Sequence, residues 1–291
     1  MALNGIDISN WQPDIDLSKV ASDFVIVKTT EGTDYVSPVA DTQIQQALKL
    51  NKLVGVYHYA TGAGAVNEAN FFLSNIKGYM GKALLVLDFE GEAIAGGPTY
   101  AKTFLDTVYQ ATGIRPLLYT SKSVVNQYDW SAVSNEYDLW GAQYASTAHT
   151  GYQSEPWEDG TAWGSFGKPV IRQYTGYGRL AGYAGDLDLD LFYGDKDDWQ
   201  DYITSDNEPE EPNKPTTKTP IVQYSDAKGN RAYAYTHWQA VTGKPDVAVK
   251  SDLTKYQQKT DPFVLTSPNG TQYQLAVDDK GVLSAMEVKN A

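Results

Sequence analysis

The stretch LLVLDFEGE, Leu84–Glu92, joins a buried strand to a pair of acids. Its first four residues are apolar, as in a strand that is covered on both faces. Asp88 and Glu90 follow, and because residues two apart in a strand point to the same side, their carboxyl groups share a face with about 6–7 Å between the Cα atoms. Two acids at the end of an apolar strand need a partner, which is a substrate or a metal ion such as Ca²⁺ or Mg²⁺.

Apolar runs of similar length recur on both sides of this stretch and predict eight strands in all. They lie at residues 4–9, 23–31, 53–60, 83–90, 115–121, 138–145, 169–175 and 186–194. Three segments with helical spacing separate the early runs, and alternation of strand and helix implies parallel pairing. These helices are predicted at 37–51, 65–79 and 98–113, the last with a Pro at its start and a Gly at its end.

After the fifth strand the alternation of strand and helix weakens. A short helix is expected after Ser121, but residues 146–167 and 175–185 are rich in Gly and turn residues, so the last three strands connect by loops. Eight strands with helices after only the earlier ones predict an α/β fold, a barrel related to the (β/α)8 type but incomplete on one side. An open doubly wound sheet is the alternative, although no Gly-rich phosphate loop follows the first strand.

A linker separates this barrel from a smaller C-terminal part. In Ser205–Pro220, SDNEPEEPNKPTTKTP, polar residues and Pro replace every apolar residue, which is typical of a semi-extended linker. We therefore predict a barrel domain at 1–204 and a second domain at 221–291. Short apolar runs broken by turns, including PNGT between two of them, predict that the second domain is small and β-rich.

Composition excludes several classes of function. The formal net charge is −13 at pH 7, and no cluster of Lys and Arg offers a surface for nucleic acid. There is no cysteine, which excludes a thiol nucleophile, and His58, His149 and His237 are too far apart in sequence to indicate a zinc amidase. No apolar run approaches the length of a membrane span, and the N-terminus lacks a basic leader and an apolar h-region. We expect no membrane insertion and no classical export signal.

Further acids follow other predicted strands. Asp7 ends the first strand, Glu31 follows the second, and Asp186, Asp188 and Asp190 alternate along the eighth. If the barrel closes, several of them ring one mouth, and crowding raises the pKa of at least one carboxyl group. Glycosidic bond cleavage needs such an arrangement, because one acid protonates the leaving oxygen and another group meets the developing oxocarbenium charge. A capping role for Asp7, a surface position for Glu31 and a solvated edge strand are the alternatives.

Eight fragments in sequence order carry a resemblance to a known family. They are GIDISNWQ, VKTTEG, GVYHYA, LDFE, LLYTS, LWGAQYA, RQYT and DLDLDLFYG, and together they cover essentially all of residues 3–194. The chain resembles the glycoside hydrolase family 25 muramidases, the lysozyme group that includes many phage endolysins. The resemblance implies an incomplete TIM-like (β/α)5(β)3 barrel and hydrolysis of the β-1,4 bond from N-acetylmuramic acid to N-acetylglucosamine.

The resemblance also implies roles for four catalytic acids. Glu90 would be the proton donor, and Asp88 would orient and stabilise a 2-acetamido group or act more directly. Asp7 and Asp188 match the other acidic positions of the family's site. The two-residue spacing of Asp88 and Glu90 does not distinguish a substrate-assisted mechanism from a carboxylate nucleophile.

Polar and aromatic side chains at the strand ends are candidate substrate contacts, because rings stack on sugars and amides bind hydroxyl and acetamido groups. They are Trp11, Glu31, Tyr57, Tyr59, Trp140, Gln143, Tyr144 and Gln173. Packing within the barrel is the alternative for any one of the aromatic residues.

These observations predict a peptidoglycan hydrolase that uses no cofactor and no metal. We expect residues 221–291 to bind cell-wall polymer, and we expect a phage or prophage endolysin that is held in the host bacterial cytoplasm before it is released to the wall. A chitinase-like glycosidase and a non-catalytic sugar-binding barrel are the alternatives. The pair of Asp88 and Glu90 counts against the latter, because a binding protein gains little from a strained acid pair.

Overall fold

The computed structural model describes residues 2–206 together with five short C-terminal segments, 223–225, 231–233, 263–266, 272–277 and 283–287. Nine strands and six helices lie in the first range. The strands are β1 (Leu3–Ile8), β2 (Phe24–Glu31), β3 (Tyr35–Val36), β4 (Leu53–Tyr59), β5 (Ala83–Asp88), β6 (Leu117–Ser121), β7 (Leu139–Ala142), β8 (Ile171–Gly178) and β9 (Leu187–Phe192). The helices are α1 (Ala40–Lys49), α2 (Ala65–Asn75), α3 (Gly97–Thr112), α4 (Lys122–Val125), α5 (Ser131–Ser134) and α6 (Lys196–Asp201).

Eight of these strands close into a barrel. The order is β1-β9-β8-β7-β6-β5-β4-β2, and the pairing of β1 with β2 completes the ring. The predicted α/β barrel is therefore confirmed, with long helices after the second, third and fourth barrel strands and only short helices or loops after the later ones. The hairpin strand β3, which pairs with β2 outside the ring, was not predicted.

The last barrel strand runs against its neighbours. All other pairings in the ring are parallel, but β9 is antiparallel to both β8 and β1. The beginning of β9 therefore lies at the same mouth as the carboxyl ends of the parallel strands. Asp188 is directly opposite Asp7 in the β1–β9 register for this reason.

Alternation along the strands separates two apolar layers. On β5, Leu85 and Leu87 face the helices, whereas Leu84 and Val86 face the barrel interior and Asp88 continues that inward face towards the mouth. Trp199 of α6 belongs to the interior cluster and packs on Phe24, with 4.9 Å between ring centroids. The interior is thus filled with apolar side chains below the acids.

Gly5 on β1 permits the close packing of this interior. A Cβ atom on Gly5 would lie 2.2 Å from the ring of Phe24, so no larger residue fits beside that ring. The ring belongs to the apolar cluster that fills the barrel interior.

A buried hydrogen-bonded pair, His58 and Glu68, fixes the connection between β4 and α2. The Nε2 atom of His58 is 2.9 Å from Oε2 of Glu68, and its Nδ1 atom is 2.8 Å from the hydroxyl of Thr30. Glu68 also accepts from the backbone N–H groups of Thr61 and Ala63. Burial lowers the pKa of His58, so the ring is neutral, donates to Glu68 through Nε2 and accepts from Thr30. This pair stabilises the strand that carries two tyrosines of the mouth.

The described C-terminal segments are strands. They are β10 (Gln223–Ser225), β11 (Arg231–Tyr233), β12 (Phe263–Thr266), β13 (Gln272–Val277) and β14 (Leu283–Glu287), and they form an antiparallel pair and an antiparallel three-stranded sheet. β12 and β13 flank the predicted PNGT hairpin, whose turn lies outside the described residues. The chain divides into two compact units at Lys214 and Pro215, within the predicted linker. Among the described residues, no helix is long and apolar enough to cross a membrane.

We expect the Glu68→Gln substitution to reduce the loss of stability on acidification. Burial opposes ionisation of Glu68, but hydrogen bonds from His58, Ala63 and Thr61 outweigh it and lower its pKa to about 2. A carboxyl with a lowered folded pKa stabilises the fold above its unfolded pKa, and this contribution is lost as the pH falls towards 2. Urea unfolding at a series of pH values should show a smaller decrease in the free energy of unfolding below about pH 4.5 in the variant. Parallel curves for the two proteins would contradict this assignment.

Candidate active site

A cleft of 390 Å³ opens at the mouth where the parallel strands end. Ten of the twelve residues predicted for the site line it. They are Asp7, Trp11, Tyr57, Tyr59, Asp88, Glu90, Trp140, Tyr144, Gln173 and Asp188. Trp11 has 82% of its surface exposed. The structure thus brings these residues together, and their individual roles stay predictions.

Asp88 and Glu90 lie side by side but differ in exposure. Asp88 is the last residue of β5 and is buried, whereas Glu90 follows the strand in an extended conformation and is half-buried. Burial and the neighbouring charge of Glu90 raise the pKa of Asp88 well above its usual range, and burial raises the pKa of Glu90. Because the two groups titrate together, the pair keeps a proton at a pH at which ordinary carboxyl groups are ionised.

Lys28 on β2 is a cleft residue that was not predicted from the sequence. Its Nζ atom is 2.6 Å from Oε2 of Glu31 and 4.7 Å from the ring centroid of Tyr59. Its positive charge opposes burial and lowers the pKa of both Asp88 and Glu90. The signal was available, since Phe24, Ile26 and Lys28 alternate on the inward face of one strand.

The amide of Gln173 links three side chains across the cleft. Its Nε2 atom donates to Oδ2 of Asp7 at 2.6 Å, and its Oε1 atom accepts from the hydroxyls of Tyr119 and Tyr144 at 2.7 and 2.6 Å. Two donors on the oxygen leave only the amide nitrogen for Asp7, which fixes the orientation of Gln173. Tyr119 was not predicted, because it lies in the middle of a strand whose other signals are those of packing.

The acids and aromatic residues of the cleft differ in how deeply they are buried. Burial and the charge of Glu90 raise the pKa of Asp188 to about 6. Trp140 is only 2% exposed and donates its indole N–H to Asp190 at 2.8 Å, so little of its ring surface is open to the cleft that it lines. Trp11 and Tyr144 offer much larger exposed ring surfaces.

Glu31 and Gln143, the other two predicted residues, do not line this cleft. Glu31 binds Lys28, so it influences the cleft through that lysine. Gln143 accepts from the buried Arg172 through its side-chain oxygen and its backbone carbonyl, both at 3.1 Å. It lies on a second, adjoining cleft of 510 Å³.

Glu90 stands on the border between the two clefts. It lines both, as do Tyr119 and Tyr144. The second cleft also contains Lys122, whose buried ammonium group is 2.5 Å from Asp159 and 2.8 Å from the carbonyl of Thr161. A long chain that fills both clefts would therefore pass directly over the Glu90 carboxyl group.

Within residues 2–206 and the five described C-terminal segments, no three His, Cys, Asp or Glu side chains are arranged to hold a metal ion.

A closed barrel whose mouth holds a proton-retaining acid pair, beside exposed aromatic rings and amides, defines a glycoside hydrolase.

Comparison with known proteins gives the family. The family model of the glycosyl hydrolases family 25 matches residues 6–183. The chain belongs to this family and is a peptidoglycan hydrolase of the lysozyme and muramidase type.

Two curated relatives and two solved structures illustrate the similarity. The uncharacterized protein YegX of Escherichia coli O157:H7 is 29% identical over 69% of this chain and 73% of its own length. Lysozyme M1 of Streptomyces globisporus is 29% identical over 66% and 68%, respectively. The Streptomyces coelicolor lysozyme structure has a TM-score of 0.59 and 25% identity, covering 69% of this chain and 96% of that one. The catalytic domain of the endolysin ply40 from Listeria monocytogenes bacteriophage P40 has a TM-score of 0.57 and 26% identity, covering 69% and 98%.

We expect Lys28→Met to move the alkaline limb of the activity profile to higher pH. Lys28 lowers the pKa of both Asp88 and Glu90, so loss of its charge raises both values and keeps the pair protonated at higher pH. The measurement is kcat/KM for wall digestion between about pH 4 and 9, which reports the essential acid of the free enzyme. Lys28→Arg is the matched control, because it keeps the charge and should keep the limb near its original position. An unmoved or lowered limb in Lys28→Met would contradict this role.

Proposed function

We propose that this chain is an N-acetylmuramidase that cleaves the β-1,4 bond from N-acetylmuramic acid to N-acetylglucosamine in bacterial peptidoglycan. The observation that carries the proposal is the acid pair Asp88 and Glu90 at the mouth of the barrel, with pKa values raised by burial. Lysozyme M1, a relative of this chain, bears a name that agrees with this activity.

The position of Glu90 supports a role as proton donor. Because Glu90 borders both clefts, the glycosidic oxygen of a bound strand would lie at that border, with the muramic acid on one side and the leaving sugar on the other. Glu90 gives its proton to this oxygen as the bond to the anomeric carbon breaks. The same carboxylate then accepts a proton from the water that completes hydrolysis.

The environment of Asp88 favours assistance by the substrate's own acetamido group. The Oδ1 atom of Asp88 is buried and accepts no hydrogen bond from any described residue. An acetamido N–H would supply the missing donor, and this contact would hold the acetamido oxygen for attack on the anomeric carbon. Because that oxygen and then water attack in succession, the first-formed product keeps the anomeric configuration of the substrate. Inversion would contradict substrate assistance.

We expect Glu90→Gln to abolish lysis of Gram-positive walls and to leave wall binding intact. Glutamine keeps the shape of the side chain but has no proton of suitable acidity, and loss of a general acid costs about 10²–10⁴ in rate. The measurement is the release of new reducing ends from purified peptidoglycan, with sedimentation of protein and walls as the binding test. Activity within about tenfold of the parent would remove Glu90 from this role.

The matched control for this variant is Glu92→Gln, which changes an exposed acid two residues away and should leave the activity unaffected. Identification of the products tests the bond cleaved. Reducing ends on muramic acid without new free amines agree with a muramidase, whereas reducing ends on glucosamine indicate another glycosidase, such as a chitinase-like enzyme.

We further propose that residues 221–291 bind wall polymer and raise the local concentration of substrate for the barrel. The sequence supports this role through a polar linker and a small domain that contains five Tyr and one Trp. Deletion of residues 205–291 should weaken sedimentation with walls, while activity on short soluble glycan fragments stays close to that of the full chain. Unchanged sedimentation would exclude the anchoring role.

We also propose that the protein acts in phage-induced lysis of a bacterial host. The similarity to the endolysin of a Listeria phage supports this role. We propose that the protein is held in the cytoplasm of the host bacterium and reaches the wall after a separate permeabilising step. When it is produced in a Gram-positive host, cells should lyse only after the membrane is permeabilised. Lysis of intact cells, or secretion into the medium before lysis, would contradict this order of events.

A further inference from the structure

Asp190 is a buried carboxyl group that the proposed reaction does not use directly. It lies on β9, opposite Gly5 of β1 and Gln173 of β8, and none of its surface is exposed. Its Oδ1 atom accepts from the indole N–H of Trp140 at 2.8 Å. Its Oδ2 atom is also buried. Among the described residues, no N–H group and no Ser, Thr or Tyr hydroxyl donates a hydrogen bond to it.

The acid beside Asp190 is Asp7. Asp7 stands two residues beyond Gly5, which pairs with Asp190 in the β1–β9 register, so the two side chains are diagonal neighbours on the same face of adjacent strands. A hydrogen bond between the two carboxyl groups contributes to the shift of each pKa. Asp7 is buried and uses its Oδ2 atom to accept from Gln173 at 2.6 Å, so its other oxygen remains for Asp190. Two carboxyl groups form a hydrogen bond only when one of them carries a proton.

Among the described residues, no Lys, Arg or His side chain contacts either carboxyl group of the pair. The titratable groups that face the pair are Asp188, Tyr57, Tyr119, Tyr144, Tyr152 and Tyr174. None of these supplies a positive charge. Burial, above all, raises the pKa of both Asp7 and Asp190 well above the usual range. Two adjacent buried carboxyl groups cannot both ionise under these conditions.

We propose that Asp7 and Asp190 share one proton at neutral pH, and that Asp190 is a positioning residue that sets the orientation and protonation of Asp7. The inference rests on the proposed function where it places Asp7 beside the reacting sugar. The contacts form one chain from Trp140 through Asp190 and Asp7 to Gln173, which Tyr119 and Tyr144 hold at the cleft. Asp190 thus connects the packed interior to the cleft surface.

Infrared spectroscopy at neutral pH tests the shared proton without any substrate. The carbonyl band of protonated carboxyl groups should lose the intensity of one group in Asp190→Asn, because the new amide donates to Asp7 and lets it ionise. Asp7→Asn should lose the same intensity by the converse change. The double variant Asp7→Asn with Asp190→Asn should lose no more than either single variant, because only one proton is present.

The outcomes separate the possible protonation states. Twice the loss in the double variant would show that each group holds its own proton, and no loss in any variant would show that neither is protonated. Either result overturns the proposal. Because no substrate is involved, failure of the muramidase assignment would leave this result unaffected.

Activity separates positioning from a merely structural role. Asp190→Ala removes both the acceptor for Trp140 and the partner of Asp7, and kcat should fall on the order of 10²-fold, as for a misplaced catalytic group. Asp190→Asn keeps both hydrogen bonds and should restore most of this loss. Thermal unfolding of both variants shows whether the fold is retained. Equal kcat in Asp190→Ala and the parent, or no recovery in a folded Asp190→Asn, would refute the positioning role.

Discussion

The antiparallel run of β9 between β8 and β1 is the constraint on which the site depends. Closure of the barrel through this strand places Asp188 opposite Asp7 and buries Asp190 beneath them. A parallel last strand would begin at the opposite end of the barrel and carry these acids away from Asp88 and Glu90. The chemistry of the mouth therefore follows from strand direction as much as from residue type.

The concentration of carboxyl groups in one cleft has a cost in stability that is part of the function. An acid whose folded pKa is raised destabilises the folded state as the pH rises from its unfolded pKa to its folded pKa. Burial makes this true of Asp7, Asp88, Glu90 and Asp190, with Lys28 opposing the effect on the acid pair. General acid catalysis needs a carboxyl group that keeps its proton near neutral pH. Burial therefore lowers the stability of the fold and supports activity through the same rise in pKa.

Glu68, elsewhere in the barrel, has a lowered pKa, in contrast to the acids of the cleft. Glu68 is also buried, yet hydrogen bonds from His58 and the chain between β4 and α2 stabilise its charge. The difference lies in donors, since Asp88 has an oxygen with no donor among the described residues and Glu68 has several. An unsatisfied oxygen at a cleft is available to substrate, whereas a fully bonded carboxylate serves the fold.

The sequence by itself determined the barrel, its loss of helices after the fifth strand, and the acid pair, because periodicity and the ending of an apolar strand in two carboxyl groups are local signals. It also indicated ten cleft residues, because each follows a strand or alternates along one. It could not separate the exposed Tyr144 from the buried Trp140, or exclude Gln143 and Glu31 from the first cleft. Those distinctions, with the roles of Lys28 and Tyr119 and the contact of Asp190 with Asp7, depend on which side chains meet across strands far apart in sequence. Only the closed tertiary structure sets those distances and the burial that shifts each pKa.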